Sequence, residues 1–184
     1  MEKALRSRVI KLSKETAILL VAVIAAVALP QIVHGIGLFV GVGGMLGQIL
    51  LPMYIPVLII GFYRGPISGA LTGFLAPLVS FCITGMPALA VLPYIMIELI
   101  AIGALAGLLA ENELPAVLRV LLVQVVAKAI RLAAFGCNVY FATAGTLTAA
   151  LLFGDVIRSV PGILLQLIVV TLLLKNKEND SDVR

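Results

Sequence analysis

Long apolar runs follow one another along this chain with only short turns between them, and each is near the twenty or so residues that one helix needs to cross a bilayer. Backbone N–H and C=O groups in lipid must be satisfied within the segment, so runs of this kind fold as helices. The 184 residues hold about six of them. A water-soluble fold is excluded on composition. Hydrophobic residues make up 62% and charged residues 12%, with a mean hydropathy of +1.20. Ordinary soluble domains are roughly half apolar and a quarter charged. The sequence therefore predicts an all-α membrane protein with one domain over residues 1–184: a basic start over 1–15, a six-helix bundle over 16–174 and a polar tail over 175–184.

The start carries Lys3, Arg6, Arg8, Lys11 and Lys14, with Leu5, Val9 and Leu12 roughly along one helical face, as in an interfacial segment. No A-x-A cleavage site stands at a sensible distance before Pro30, so this start reads as retained. The spans are predicted at 16–33, 46–62, 66–83, 89–110, 115–137 and 156–174. Gly35 to Gly44 reads as an ordered loop or re-entrant turn, serving either as a lid or as a plain flexible connection. Turns are expected at Tyr63–Pro66, Thr84–Pro87 and Glu111–Pro115. Residues 138–154, rich in Thr, Ala and Gly, are either an excursion on the outer side or an extension of the fifth span. The tail is expected to fray.

Charge sets the orientation. With six spans, one side receives Lys3, Arg6, Arg8, Lys11, Lys14, Arg64, Arg119, Lys175, Lys177 and Arg184, and the other receives only Arg158. Basic residues mark the cytoplasmic side, so both termini are expected in the cytoplasm. The same placement explains the net charge of +4 without any nucleic-acid partner.

Three ionisable residues fall within the apolar spans: Glu98, Lys128 and Arg131. Such residues cost several kcal/mol at membrane depth unless paired or hydrated, so each is a candidate functional residue. Gln124, Lys128, Arg131, Phe135 and Asn138 follow at steps of four, three, four and three, which places them along one helical stripe. Tyr94 and Glu98 share a face of the fourth span, Ser80 and Thr84 a face of the third, and Gln166 lies in the sixth. Two readings stand side by side. One is an outward-facing pocket of net charge about +1, suited to a solute carrying a carboxylate. The other is a buried ion pair that only fixes helix register. His34, at the end of the first span, is either a solute contact or an interfacial residue bonded to backbone.

Gly65, Gly69 and Gly73 make a double GxxxG that predicts close packing between helices of this chain, and Ala22 and Ala26 make an AxxxA that suits either internal packing or a partner subunit. Cys82 and Cys137 are read as two buried thiols rather than a disulfide. No zinc, iron–sulfur or other cofactor pattern is present, and no nucleophile elbow, H-E-x-x-H or P-loop, so an enzyme is not expected.

The run Leu51-Pro52-Met53-Tyr54-Ile55-Pro56-Val57-Leu58-Ile59-Ile60-Gly61 resembles the LPMHIPVLLAG signature of the substrate-binding S components of energy-coupling-factor (ECF) transporters, with Tyr54 where a His is more usual. Arg64-Gly65-Pro66, Gly69, Ala76-Pro77-Leu78, Thr84-Gly85-Met86-Pro87, Glu98-Leu99 and Pro161-Gly162-Ile163-Leu164-Leu165-Gln166 follow in that family's order. The resemblance implies a six-helix capture protein for a small water-soluble vitamin or precursor, bound in the outer half of the membrane. It further implies docking with a transmembrane coupling subunit, through the alanine motif matched by Ala22 and Ala26, and with two ATPase subunits that hydrolyse the ATP. The block is most similar to S components of the pantothenate and hydroxymethylpyrimidine-type group. Pantothenate, a carboxylate, suits a positive pocket. Where that family usually reads Gly-Arg, this chain has Ile130-Arg131, with Lys128 added. The rival expectations are a stand-alone proton-coupled transporter using Glu98, and a structural membrane subunit that binds no solute.

Overall fold

The structure is a computed structural model that describes residues 2–41, 45–141 and 147–182. Among the described residues every regular element is a helix: α1 (Glu2–Phe39), α2 (Met45–Leu50), α3 (Tyr54–Arg64), α4 (Pro66–Thr84), α5 (Leu92–Leu108), α6 (Ala116–Phe141) and α7 (Leu147–Asp182). Stretches Ser13–Phe39, Pro66–Thr84, Ala116–Cys137 and Ile157–Asn179 are each long and apolar enough to cross a bilayer. Large apolar side chains such as Ile24, Ile67, Val125 and Ile168 point away from the bundle, where lipid is the solvent that suits them. The chain is an all-α membrane protein.

Several boundaries differ from the sequence reading, each for a physical reason. The basic start is not a separate interfacial segment, because nothing in 2–16 breaks a helix and it runs straight into the first span as α1. Gly35 to Phe39 are helical as well, since an apolar helix already begun tolerates Gly at about 1 kcal/mol each. The rest of the expected lid, 42–44, lies outside the described residues. The fourth span is shorter than expected, at 17 residues. Of residues 138–154, 138–141 extend the fifth span as the end of α6, 147–154 join α7, and 142–146 lie outside the described residues.

The second span is not one helix. It is divided into α2 and α3 by Leu51, Pro52 and Met53. Pro52 has no N–H to donate, and the residue before a proline is disfavoured in the right-handed helical region. Leu51 sits at φ 46°, a left-handed conformation uncommon for a branched side chain. Irregular backbone at membrane depth is tolerated only where protein satisfies it. Here the Leu51 carbonyl accepts from the Tyr54 N–H at 3.1 Å and from Gln166 Nε2 of α7 at 3.3 Å. Gln124 of α6 in turn donates to Gln166 Oε1. Gly162 lets α7 approach the Ile49–Leu50 backbone, which a side chain there would strike.

A glycine seam joins α3, α4 and α5. A Cβ at Gly69 would fall on the Gly103 carbonyl, one at Gly73 on the Leu99 carbonyl, and one at Gly107 on the Gly65–Pro66 backbone. This confirms internal packing for the double GxxxG. Gly65 and Gly85 also adopt positive φ, 91° and 71°, to turn the chain at the two ends of α4.

The end of the bundle carrying Arg64 and Lys177 is pinned. Arg119 Nη1 donates to the Ala110 carbonyl at 2.8 Å and its Nη2 pairs with Glu178. The Tyr63 hydroxyl donates to the Leu173 carbonyl at 3.0 Å, and Lys177 Nζ lies 4.7 Å from the centre of the Tyr63 ring. These contacts hold the tail helical through Asp182, where fraying was expected. Cys82 and Cys137 are both free and both exposed rather than buried.

Gly69→Ala should destabilise the bundle by about 2–3 kcal/mol or prevent its assembly, because the new methyl meets backbone that cannot rotate away. Gly136→Ala, where nothing lies within reach, should be neutral or slightly stabilising. Thermal unfolding of both variants in detergent checks the pair.

Candidate functional site

The polar groups of α5 and α6 meet where two apolar helices leave them no other partner. Glu98 sits about 9 Å from the Leu92 end of α5 and about 15 Å from its Leu108 end. Lys128 and Arg131 lie about 18 and 22 Å along α6 from Ala116. All three are therefore in the half of the bundle away from the basic end. The helical stripe on α6 faces inward as its period predicts: Gln124 and Lys128 are buried and Arg131 nearly so, while Val125, Val126 and Ile130 are exposed.

Glu98 is fully buried, at 0% exposure. Its Oε2 accepts from the Tyr54 hydroxyl at 2.7 Å and from Arg131 Nη1 at 2.7 Å. Its Oε1 lies 2.6 Å from Lys128 Nζ. That last approach is an ion contact outside hydrogen-bond geometry, and among the described residues the ammonium has no other acceptor. One carboxylate thus serves two cations, and the cluster carries a formal charge of +1. Taking each ion out of water costs several kcal/mol, which close pairing offsets only where the geometry is good.

Two neutral layers bracket this cluster. One turn outward along both helices, Tyr94 and Phe135 meet edge to face with ring centres 5.0 Å apart. On the inner side stands the Gln124–Gln166 pair with the Leu51 carbonyl, and below it the apolar core of Leu99, Ile102, Val120 and Val123.

The structure brings together Glu98, Lys128 and Arg131, and sets Tyr94 just outside them. It places Gln124, His34 and the alanine pair elsewhere. Gln124 is spent on Gln166. His34 packs against Gly47 of α2 rather than on the ion cluster. Ala26 is fully buried within the chain, while Ala22 lines an open apolar groove between α1 and α3 with Ala25, Pro56 and Ile59. The side chain of Asn138 lies outside the described residues. Ser80 is buried in α4, and Thr84 donates its hydroxyl to the Ser80 carbonyl.

Sequence alone marks Tyr54 only as a substitution in a motif, and its place on Glu98 is seen only in the structure. The available signal was Pro52, which breaks the helix two residues earlier and makes Tyr54 the first residue of α3. Comparison with family models, with curated proteins and with solved structures finds no match to this chain.

Glu98→Gln leaves Lys128 and Arg131 buried with a neutral partner, and should cost about 3–5 kcal/mol. Adding Lys128→Met removes one of the two stranded cations and should recover at least about 1 kcal/mol, a coupling that a double-mutant cycle of thermal unfolding would read. Simple additivity of the two losses would mean that the contact does not hold the residues together.

Proposed function

We propose that this protein is the solute-capturing S subunit of an ECF-type importer, taking a small water-soluble vitamin or precursor from outside the cell. The observation that carries the reading is the Tyr54–Glu98–Lys128–Arg131 cluster, in which two cations share one buried carboxylate and leave a net positive charge. An element that only fixed register would need one ion pair at most, whereas this one retains a second cation. The resemblance of residues 51–61 to the S-component signature supplies the transporter class, and favours pantothenate among the vitamins.

In this reading Lys128 and Arg131 bind the polar group of the solute, Glu98 and Tyr54 hold the two cations in place, and Tyr94 and Phe135 pack on the solute body. The basic end faces the cytoplasm of a prokaryotic cell, in its plasma membrane. ATP hydrolysis belongs to two partner ATPases, and the coupling subunit seats in the groove that Ala22 and Ala25 line. A proton-coupled carrier is a weaker reading, since a proton carried by Glu98 would require both ion contacts to break in every cycle.

Binding of a water-soluble vitamin panel to the purified protein, by calorimetry and thermal shift, tests the proposal. One vitamin should bind at nanomolar to low-micromolar concentration, and Arg131→Ala should weaken it by roughly a hundredfold, through loss of a charge-assisted contact and of the guanidinium that positions Glu98. A folded protein that binds no member of the panel would overturn the reading.

A further inference from the structure

We infer that the captured solute carries a single negative charge and that Lys128, not Arg131, is the residue that selects for it. The inference rests on the capture reading above and adds the charge class of the ligand.

The argument is one of charge and hydrogen-bond supply. Arg131 has Glu98 Oε2 at 2.7 Å, in hydrogen-bonding geometry. Lys128 has the approach to Oε1 at 2.6 Å, outside hydrogen-bond geometry, and among the described residues its ammonium, on a side chain 9% exposed, meets no other acceptor. An ammonium has three N–H donors, and a buried donor without an acceptor carries the full cost of its lost hydration. The groups on neighbouring helices do not supply the deficit. Tyr54 of α3 already donates to Glu98, and Gln124 and Gln166 are engaged with each other and with the Leu51 carbonyl.

The formal charge of the cluster is +1, and Lys128 is the cation with hydrogen-bond donors still to satisfy among the described residues. One anionic oxygen placed on Nζ would satisfy the ammonium and neutralise the cluster together. A neutral solute would leave the positive charge uncompensated in a medium of low dielectric. A cation would add to it. A dianion would bring its second charge against Glu98, which has no further cation to share. The Tyr94–Phe135 edge contact lies one turn outward, so the body of the solute would lie against those rings while its anionic group reaches Lys128.

Matched pairs of ligands differing only in charge test this on the full-length protein in detergent, at constant sodium chloride. Suitable pairs are pantothenate and pantothenol, nicotinate and nicotinamide, and biotin and its amide, with thiamine as a cation and pyridoxal phosphate as a dianion. The tightest ligand should be one of the monoanions, with its neutral partner weaker by about thirtyfold or more. Lys128→Met should bring the acid down to the level of its neutral partner. Lys128→Arg, which keeps the charge and is the safer variant for folding, should retain the acid preference.

A neutral or cationic ligand that binds as tightly as any monoanion, or an acid preference that survives Lys128→Met, would overturn the inference while leaving solute capture standing. Equal stabilisation by chloride alone would reduce the site to one for small inorganic anions and would also overturn it. Absence of binding by every compound to folded protein would overturn the capture reading and this inference with it.

Discussion

A carboxylate with no access to solvent, Glu98, is the group around which the interior of this bundle is arranged. Alone at that depth it would cost many kcal/mol. It is tolerated because two helices deliver three partners to it on α5: Tyr54 from α3, and Lys128 and Arg131 from α6. The rest of the packing makes those deliveries possible. Gly69 and Gly73 bring α4 against the backbone of α5, which leaves the opposite face of α5 free to meet α6. The break at Leu51–Met53 starts α3 at the level of the cluster, so that Tyr54 sits at a helix end rather than in the middle of a continuous span.

The break has its own requirement, which the second polar layer meets. Gln166 and Gln124 are single polar residues on two apolar helices, and either alone would be an unpaired amide in a low-dielectric interior. Together they satisfy one another and a carbonyl that no helix can satisfy. The ion cluster and the amide clasp are thus linked through α6, which supplies Gln124 to one and Lys128 and Arg131 to the other.

Much of this was legible in the sequence, and what was not has a common cause. The apolar spans could be read because transfer cost accumulates over twenty residues, and the stripe on α6 because its polar residues recur at the helical period. Mutual contact of Glu98, Lys128 and Arg131 followed from their depth and opposite charge. Hydropathy, however, registers how a segment partitions and not whether it is one helix, so the division of 46–62 into α2 and α3 was hidden although Pro52 stood in plain view. The same blindness joins Gly35–Phe39 to a loop. The order in the tail depends on Tyr63 and Arg119 finding Leu173 and Glu178 across the bundle, contacts between residues far apart in sequence that no local pattern announces.

The account's central claim is that a solute reaches the ion cluster from the side away from the basic end, past Tyr94 and Phe135. The most direct measurement is labelling of Phe135→Cys, in a chain whose exposed Cys82 and Cys137 are changed to Ala, with a membrane-impermeant thiol reagent applied to intact cells. The account predicts labelling from outside that the bound solute suppresses. Labelling only from the cytoplasmic side, or labelling that a tightly bound solute leaves unchanged, would contradict it.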